Sequence, residues 1–364
     1  MNLTLVAVVA VALCFDFTNG FHDAANAVAT SVSTRAISPR LAVLGSAALN
    51  FVGAFLSLKV AATVATGIVD PNAVTPRVVL AGLIGAIAWN LFTWRLGLPS
   101  SSSHALIGGV VGSAVAAVGF GVVQWHGLWE KVVIPALASP ALVLPLAALV
   151  MLVVLWIIRK RAPGRVNRVF RRFQLVSAGF VSLAHGTNDA QKTMGVIALA
   201  LVAANPGESF HVPYWVIVSA AAAMAAGTYA GGWRIIRTLG QRVAKLEPPQ
   251  GFAAETASAT LLWLTAHFGF PVSTTHTVSS AVLGAGATSR FSAVRWGIAG
   301  NIVVAWLVTL PAAAVVGAGA EFTTRLPGGV VWALLLALAL AAPIVLVRRP
   351  RARRAPAPAA AAQS

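Results

Sequence analysis

Four acidic residues fall inside apolar stretches of this sequence: Asp16, Asp23, Asp189 and Glu255. A charge at the centre of a bilayer costs several kcal/mol at least, so each needs a cation, a partner or a water-filled cavity. Asp23 and Asp189 have similar surroundings. Asn19, Gly20, His22 and Asn26 flank the first; Gly186, Thr187, Asn188 and Gln191 flank the second. Glycine lets a helix open, and freed carbonyls then join the carboxylate as ligands. Hard oxygen donors suit Na⁺ or Mg²⁺ better than a transition metal. Asp23 and Asp189 are therefore the expected ion-coupling pair, for a proton or for Na⁺ or Mg²⁺, with Asn19 and Asn188 beside them. The competing role is a buried Asp that caps a half-helix. Asp16 reads equally well as a helix-interface hydrogen-bonding group, and Glu255 reads as structural.

Two hydroxyl runs form a second constellation. Ser100 to Ser103 and then His104 follow Pro99; Val272, Ser273, Thr274, Thr275 and His276 follow Pro271. Proline followed by hydroxyl residues marks the start of a helix. Helix starts present free N–H groups and the positive end of the dipole, and two facing starts make an anion site. A tetrahedral oxyanion has enough oxygens to use them. The expected anion ligands are Ser101, Ser102, Ser103, Ser273, Thr274 and Thr275, with Asn26, Lys192 and Arg95. Lys192 lies one helical turn past Asp189. It can pair with that carboxylate, sit beside the anion, or do the work of a bound cation. Arg95, four residues before Pro99, offers bidentate recognition of an oxyanion or else snorkels to water. His104 and His276 orient the tips or shuttle protons.

Composition says what positions these residues. Of 364 residues, 58% are hydrophobic and 10% charged, and mean hydropathy is +0.83. Soluble domains run about 25% charged. Soluble enzymes, disordered chains and fibrous proteins are excluded, and an all-α polytopic membrane protein remains. The net charge of +17 does not form a nucleic-acid surface, because the basic residues cluster at the ends of apolar spans. Cys14 is the one cysteine, so no disulfide forms within the chain. Residues 1–18 lack the basic start and small-residue cleavage site of a signal peptide.

Apolar spans of about 20 residues cross a bilayer. They are predicted at about 3–34, 41–66, 132–158, 173–203, 213–233, 293–318 and 328–347. The first and fourth are too long for simple rods and are expected to break at their polar centres. Regions 77–120 and 252–288 each hold two short arms meeting at Gly97-Leu98-Pro99 or Gly269-Phe270-Pro271. Proline disfavours a continuous helix there, so both read as re-entrant hairpins. With residues 159–172 and the tail inside and the N-terminus outside, twenty of the 26 basic residues fall inside. Three fall outside (Arg77, Lys131, Arg325) and three within the membrane (Lys59, Arg95, Lys192). That asymmetry obeys the positive-inside rule.

The halves repeat. Gly20 to Asn26 matches Gly186 to Lys192 at an offset of 166, and Gly97 to His104 matches Gly269 to His276 at 172. Each copy makes three crossings, so the second is inverted, which is the plan of a secondary transporter. The expected division is a first inverted repeat (1–158), a basic cytoplasmic linker (159–172), a second repeat (173–318), an extra transmembrane helix (319–347) and a basic disordered tail (348–364).

Gly20 to Ala27 and His185 to Gly195 resemble the paired signatures of the inorganic phosphate transporter (PiT) family, and the two Pro-to-His tips resemble its hairpin motifs. The resemblance covers about residues 12–318. It implies phosphate import driven by Na⁺ or H⁺, with Asp23 and Asp189 on the driving ion and the hydroxyl tips on phosphate. Among members similar to this chain, some bacterial ones carry metal–phosphate and some relatives carry sulfate. Sodium-coupled members have an Asn where Lys192 stands, and an Asn at the place of His22. Both departures point to proton symport, with no cofactor, in a plasma (inner) membrane. The expected partners are inorganic phosphate, or its metal complex, and lipid. Large apolar surfaces allow a homodimer. The rival functions are a sulfate carrier, an intramembrane phosphatase and an anion channel. Duplicated motifs and the lack of a nucleophile–base set weigh against the enzyme.

Overall fold

The computed structural model describes residues 3–205, 209–289, 291–332 and 335. Among them the fold is helical, with two isolated β-bridges and no strands. Helix α1 spans Leu3–Ser33, α2 Pro39–Gly53, α3 Lys59–Thr66, α4 Pro76–Leu96 and α5 Ser102–Val118. Helix α6 (Trp125–Leu128) continues through a π-helical stretch, Trp129–Val133, into α7 (Ile134–Ile158). Next come α8 (Pro163–Ala204), α9 (Tyr214–Ala230), α10 (Trp233–Arg237), α11 (Pro248–His267), α12 (Thr274–Ser289) and α13 (Trp296–Thr324). Proline opens α2, α4, α8 and α11, where its missing N–H costs nothing. Among the described residues, α1, α4, the run Trp125–Ile158 and α13 are long and apolar enough to cross a membrane.

Four expectations change. First, α1 and α8 do not break at their polar centres; both run as α-helix through the Asp23 and Asp189 motifs. The polar side chains there find partners on neighbouring helices, so the backbone has no need to open. The breaks fall in the next span of each half, at residues 54–58 between α2 and α3 and at a 55° bend between α9 and α10. Second, the hairpin arms are unequal: α4 has 21 residues and α11 has 20, against 17 in α5 and 16 in α12. Third, only residues 159–162 of the basic linker are non-helical, because α8 starts at Pro163. Fourth, α13 runs on to Thr324, past the boundary expected at 318. Most of the extra span at 319–347 and all of the tail at 348–364 lie outside the described residues.

The packing is reciprocal between halves. Helix α13 lies against α4 and α5, while α7 lies against α11 and α12. Helix α9 packs on α1, and α2 packs on α8. A further matched pair marks the open ends of the hairpins. Phe120-Gly-Val-Val-Gln-Trp125 and Phe291-Ser-Ala-Val-Arg-Trp296 stand 171 residues apart. Each carries a bridge, Val69 to Val123 and Ala244 to Val294, and a stacked Phe–Trp pair.

Two apolar cores result. One takes the first half of α1 up to Phe15, with α3, α4, α5, α9 and α8 from Ala190 onward. The other takes α1 from Ala25 onward, with α2, α7, α11 and α12. Between them α1 and α8 carry their polar residues, so the polar layer sits in mid-molecule. Backbones approach closely around it: a Cβ on Gly109 of α5 would stand 2.2 Å from the Gly82 carbonyl oxygen of α4. Gly109→Ala should therefore lower stability by about 1–3 kcal/mol through overpacking. Gly121→Ala, with nothing within 4 Å of its Cβ, should leave it unchanged; thermal unfolding of the two purified variants checks this.

Candidate functional site

Both hairpin turns end their first arm on a glycine in the left-handed region, Gly97 (φ 71°) and Gly269 (φ 75°), which a side chain would strain. The chain then runs extended through the proline and restarts as helix. Ser101 Oγ accepts from the His104 N–H (3.1 Å), and Ser273 Oγ accepts from the His276 N–H (3.2 Å). These equivalent caps fix both tips. Ser100 to Ser103 and Ser273 to Thr275 are all buried. The imidazoles of His104 and His276 meet edge to face at 4.7 Å, and His276 lies on Trp306 at 4.1 Å. The tips thus meet inside the protein.

The next two hydroxyls of each tip face α1 and α8 in matching pairs. Ser102 donates to Asp23 Oδ2 (2.6 Å), and its counterpart Thr274 donates to Asp189 Oδ2 (3.0 Å). Asn26 Nδ2 donates to Thr275 Oγ1 (3.0 Å), and Lys192 Nζ, which replaces Asn26 in the second half, donates to Ser103 Oγ (2.5 Å). Each Asp is held by its own half's tip, and each amide or ammonium by the other half's tip. The Lys192 ammonium also donates to Asp189 Oδ1 and to the Val272 carbonyl oxygen (2.8 Å). One charge therefore ties both tips to α8.

Histidines flank both carboxylates. His22 Nδ1 is 2.7 Å from Asp23 Oδ1, and its Nε2 is 3.3 Å from Thr93 Oγ1. His185 Nε2 is 3.1 Å from Asp189 Oδ2, and its Nδ1 is 3.2 Å from Asn50 Oδ1. Asn50 in turn donates to Thr228 (2.8 Å). Asp23, His185 and Asp189 each offer one ligand atom, all within 4.8 Å of one another. That set has the donors for a cation, but the Lys192 ammonium already sits on Asp189.

Asp23, Asp189, Asn26, Lys192, Ser102, Ser103, Thr274 and Thr275 thus converge, while Ser101 and Ser273 serve as caps. Asn188 donates instead to the Leu262 carbonyl oxygen (2.9 Å) and leaves its own oxygen unpartnered. Arg95 does not join them. It sits one turn before Gly97, beyond the hydroxyl run, where its carbonyl accepts from Arg234 (2.7 Å). Arg234 also covers Trp94. Glu255 has a structural role: Thr30, Ser31 and Gln174 donate to Oε1 and Ser177 to Oε2, tying α1, α8 and α11 together. Sequence reasoning missed Gln191, whose Oε1 accepts from the N–H groups of Val60 and Ala61 (2.9 and 3.2 Å) and so caps the broken helix α3. It also missed Asn50 and Thr228, which carry no motif.

A buried polar layer between two apolar cores, closed by two helical hairpins, defines a membrane carrier of the broken-repeat type. The chain belongs to the phosphate transporter family, whose pattern matches residues 19–317. It is 54% identical to a probable low-affinity inorganic phosphate transporter of Mycobacterium tuberculosis, over 92% of this chain and 82% of that protein. It is 52% identical to the protein of that description from Rhizobium meliloti, over 88% and 97%, and 43% identical to that of Bacillus subtilis, over 90% and 99%. A solved structure titled "The sodium-dependent phosphate transporter" superposes with a TM-score of 0.75 at 25% identity, covering 92% of this chain and all of that one. The family is one of multi-pass transporters rather than enzymes.

Removing one partner of a buried ion pair costs about 3–5 kcal/mol, because it strands the other charge. Lys192→Met should destabilise by that order, and Lys192→Met with Asp189→Asn should recover most of it. Thermal unfolding of the single and double variants measures this.

Proposed function

We propose that this chain imports inorganic phosphate by proton symport, through alternating access at the meeting point of the two hairpin tips. The observation that carries the reading is the Lys192 ammonium, bonded to Asp189 and to both tips at the place where the first half has Asn26. A fixed positive charge there does the work of a metal cation in that half. It also repels a second cation at Asp189, which disfavours Na⁺ or Mg²⁺ on the Asp23–His185–Asp189 set and metal–phosphate as cargo.

Phosphate would take its donors from Ser102, Ser103, Thr274, Thr275, Asn26 and Lys192, the last turning from Asp189 to the anion. Ser101 and Ser273 position those donors by capping the helices. Asp189, losing its partner, and Asp23, losing Ser102, become acceptors for protons, with His185 and His22 beside them as relays. Proton uptake would then offset the charge of the anion and of the freed carboxylates. Each tip rests on both halves, so releasing one tip opens one face while the other holds.

The reciprocal packing supports two repeats, residues 1–158 and 173–318, inverted in the membrane and joined through the basic segment 159–172. The positive-inside count supports an N-terminus outside and a cytoplasmic C-terminus in a bacterial-type inner membrane.

Uptake of labelled phosphate into proteoliposomes tests the coupling. An inward proton gradient alone should drive accumulation, and a sodium gradient alone should not. Asp23→Asn and Asp189→Asn should each lower coupled uptake about tenfold or more, which is 1.4 kcal/mol or more at the transport barrier. Accumulation driven by sodium alone in the unaltered protein would refute proton symport. Competition by sulfate as strong as by phosphate would refute the substrate.

A further inference from the structure

Asp16 takes no part in the site above, yet it is fully buried on α1 and neither of its carboxylate oxygens has a hydrogen-bond partner among the described residues. Asn19 Oδ1 and Thr193 Oγ1 are buried and unpartnered as well. Both side chains neighbour Asp16, Asn19 from one turn along α1 and Thr193 from α8. The charges near Asp16 are Asp189 and Lys192, and these two are committed to each other. A buried carboxylate is thus left with a full uncompensated charge, which an apolar interior does not tolerate.

We propose that Asp16, Asn19 and Thr193 hold a resident sodium ion on the seam between α1 and α8. Four side-chain oxygens face one another there: two from Asp16, one from Asn19 and one from Thr193. A proton on Asp16 would serve one oxygen and leave the others without a donor. A hard cation takes several oxygens at once and suits carboxylate, amide and hydroxyl donors. One carboxylate balances one positive charge, which selects a monovalent ion over a divalent one.

The place of the site argues that this ion stays bound. Asp16 is seven residues before Asp23 on α1, roughly 10 Å along the axis at 1.5 Å per residue, so the site stands apart from the hairpin tips. Its side-chain ligands come from α1 and α8 and none from a gating hairpin. The repeat holds no second copy. Ser182 occupies the place of Asp16 in the other half and is bonded to Ser46 (3.1 Å) and to the Ala178 carbonyl oxygen (2.8 Å); Ala27 occupies the place of Thr193. When the two halves exchange roles, a site present in one half alone is not carried across. The ion is a fixed counter-charge between the apolar core and the moving site.

The test is thermal unfolding of the purified full chain in sodium chloride against choline chloride at equal ionic strength. Sodium should raise the melting temperature in a saturable way. Asp16→Asn should abolish the increment. Thr193→Val, which keeps the shape and removes one ligand, should raise the half-saturating sodium concentration about tenfold, 1.4 kcal/mol by the usual conversion. Asp189→Asn should keep the increment, which separates this site from the transport site. Equal melting in the two salts, or an increment that survives in both Asp16→Asn and Thr193→Val, would overturn the site. If Asp16→Asn does not fold, the Thr193→Val titration decides alone. In proteoliposomes, sodium at equal concentration on both sides should raise proton-driven uptake. A sodium gradient that drives uptake in the unaltered protein but not in Thr193→Val would overturn the resident role and make the ion a cargo.

Discussion

The arrangement of the polar centre depends on one ammonium group. Lys192 is 1% exposed, and its Nζ donates to Asp189, to Ser103 of the first tip and to the Val272 carbonyl of the second. Burying a lysine is tolerated only when charge and hydrogen-bond capacity are both met, and here three donors meet three acceptors from three elements. Moving any of α5, α8 or the turn before α12 leaves one of them unmet. The closed position of both hairpins is thus set by the valence of a single side chain, in a region where apolar packing alone has no directional preference.

Around that ammonium the two halves trade contacts. Ser102 with Asp23 and Thr274 with Asp189 are equivalent bonds within each half; Thr275 with Asn26 and Ser103 with Lys192 are equivalent bonds between halves. The symmetry is one of position, and the chemistry differs. Asn26 is neutral where Lys192 is charged. The two histidines also sit at non-equivalent places, since the repeat offset aligns His22 with Asn188 and His185 with Asn19. Two copies that must face opposite sides of a membrane have no need to hold charge alike, and this chain concentrates its fixed positive charge in the second.

Much of this was legible in the sequence where a local rule had one meaning. Gly-x-Pro followed by hydroxyls has few uses besides ending one helix and starting another, and both hairpins and their Ser101 and Ser273 caps follow from it. The juxtaposition of Asp23 and Asp189 with the tips followed from the repeat. Breaks in α1 and α8 were the wrong reading of sound signals. Gly20 permits an opened backbone, but it also permits close packing: its Cβ would stand 2.3 Å from the Met224 carbonyl oxygen of α9. Sequence alone does not separate the two uses of glycine. Arg95 was misplaced because closeness in sequence to Pro99 hides the turn at Gly97, which sends Arg95 and Ser100 to different neighbours. Gln191 was unreadable for another reason: the N–H groups that it caps belong to a helix some 130 residues earlier.

The exchange of helices between halves bears on how such a chain is made. The first hairpin is covered by α13 and the second by α7. During synthesis, α4 and α5 leave the ribosome before the helix that will cover them, and almost the whole second half must follow first. Close glycine contacts such as Gly112 against Ala314, or Gly108 against Leu310, are formed last although half of each is made early. The early hairpin must therefore wait in the insertion machinery or against lipid with its serines unpaired. Nascent chains cut short before residue 296 lack the partner for that hairpin, so quality control in the cell has a long interval in which to act on them.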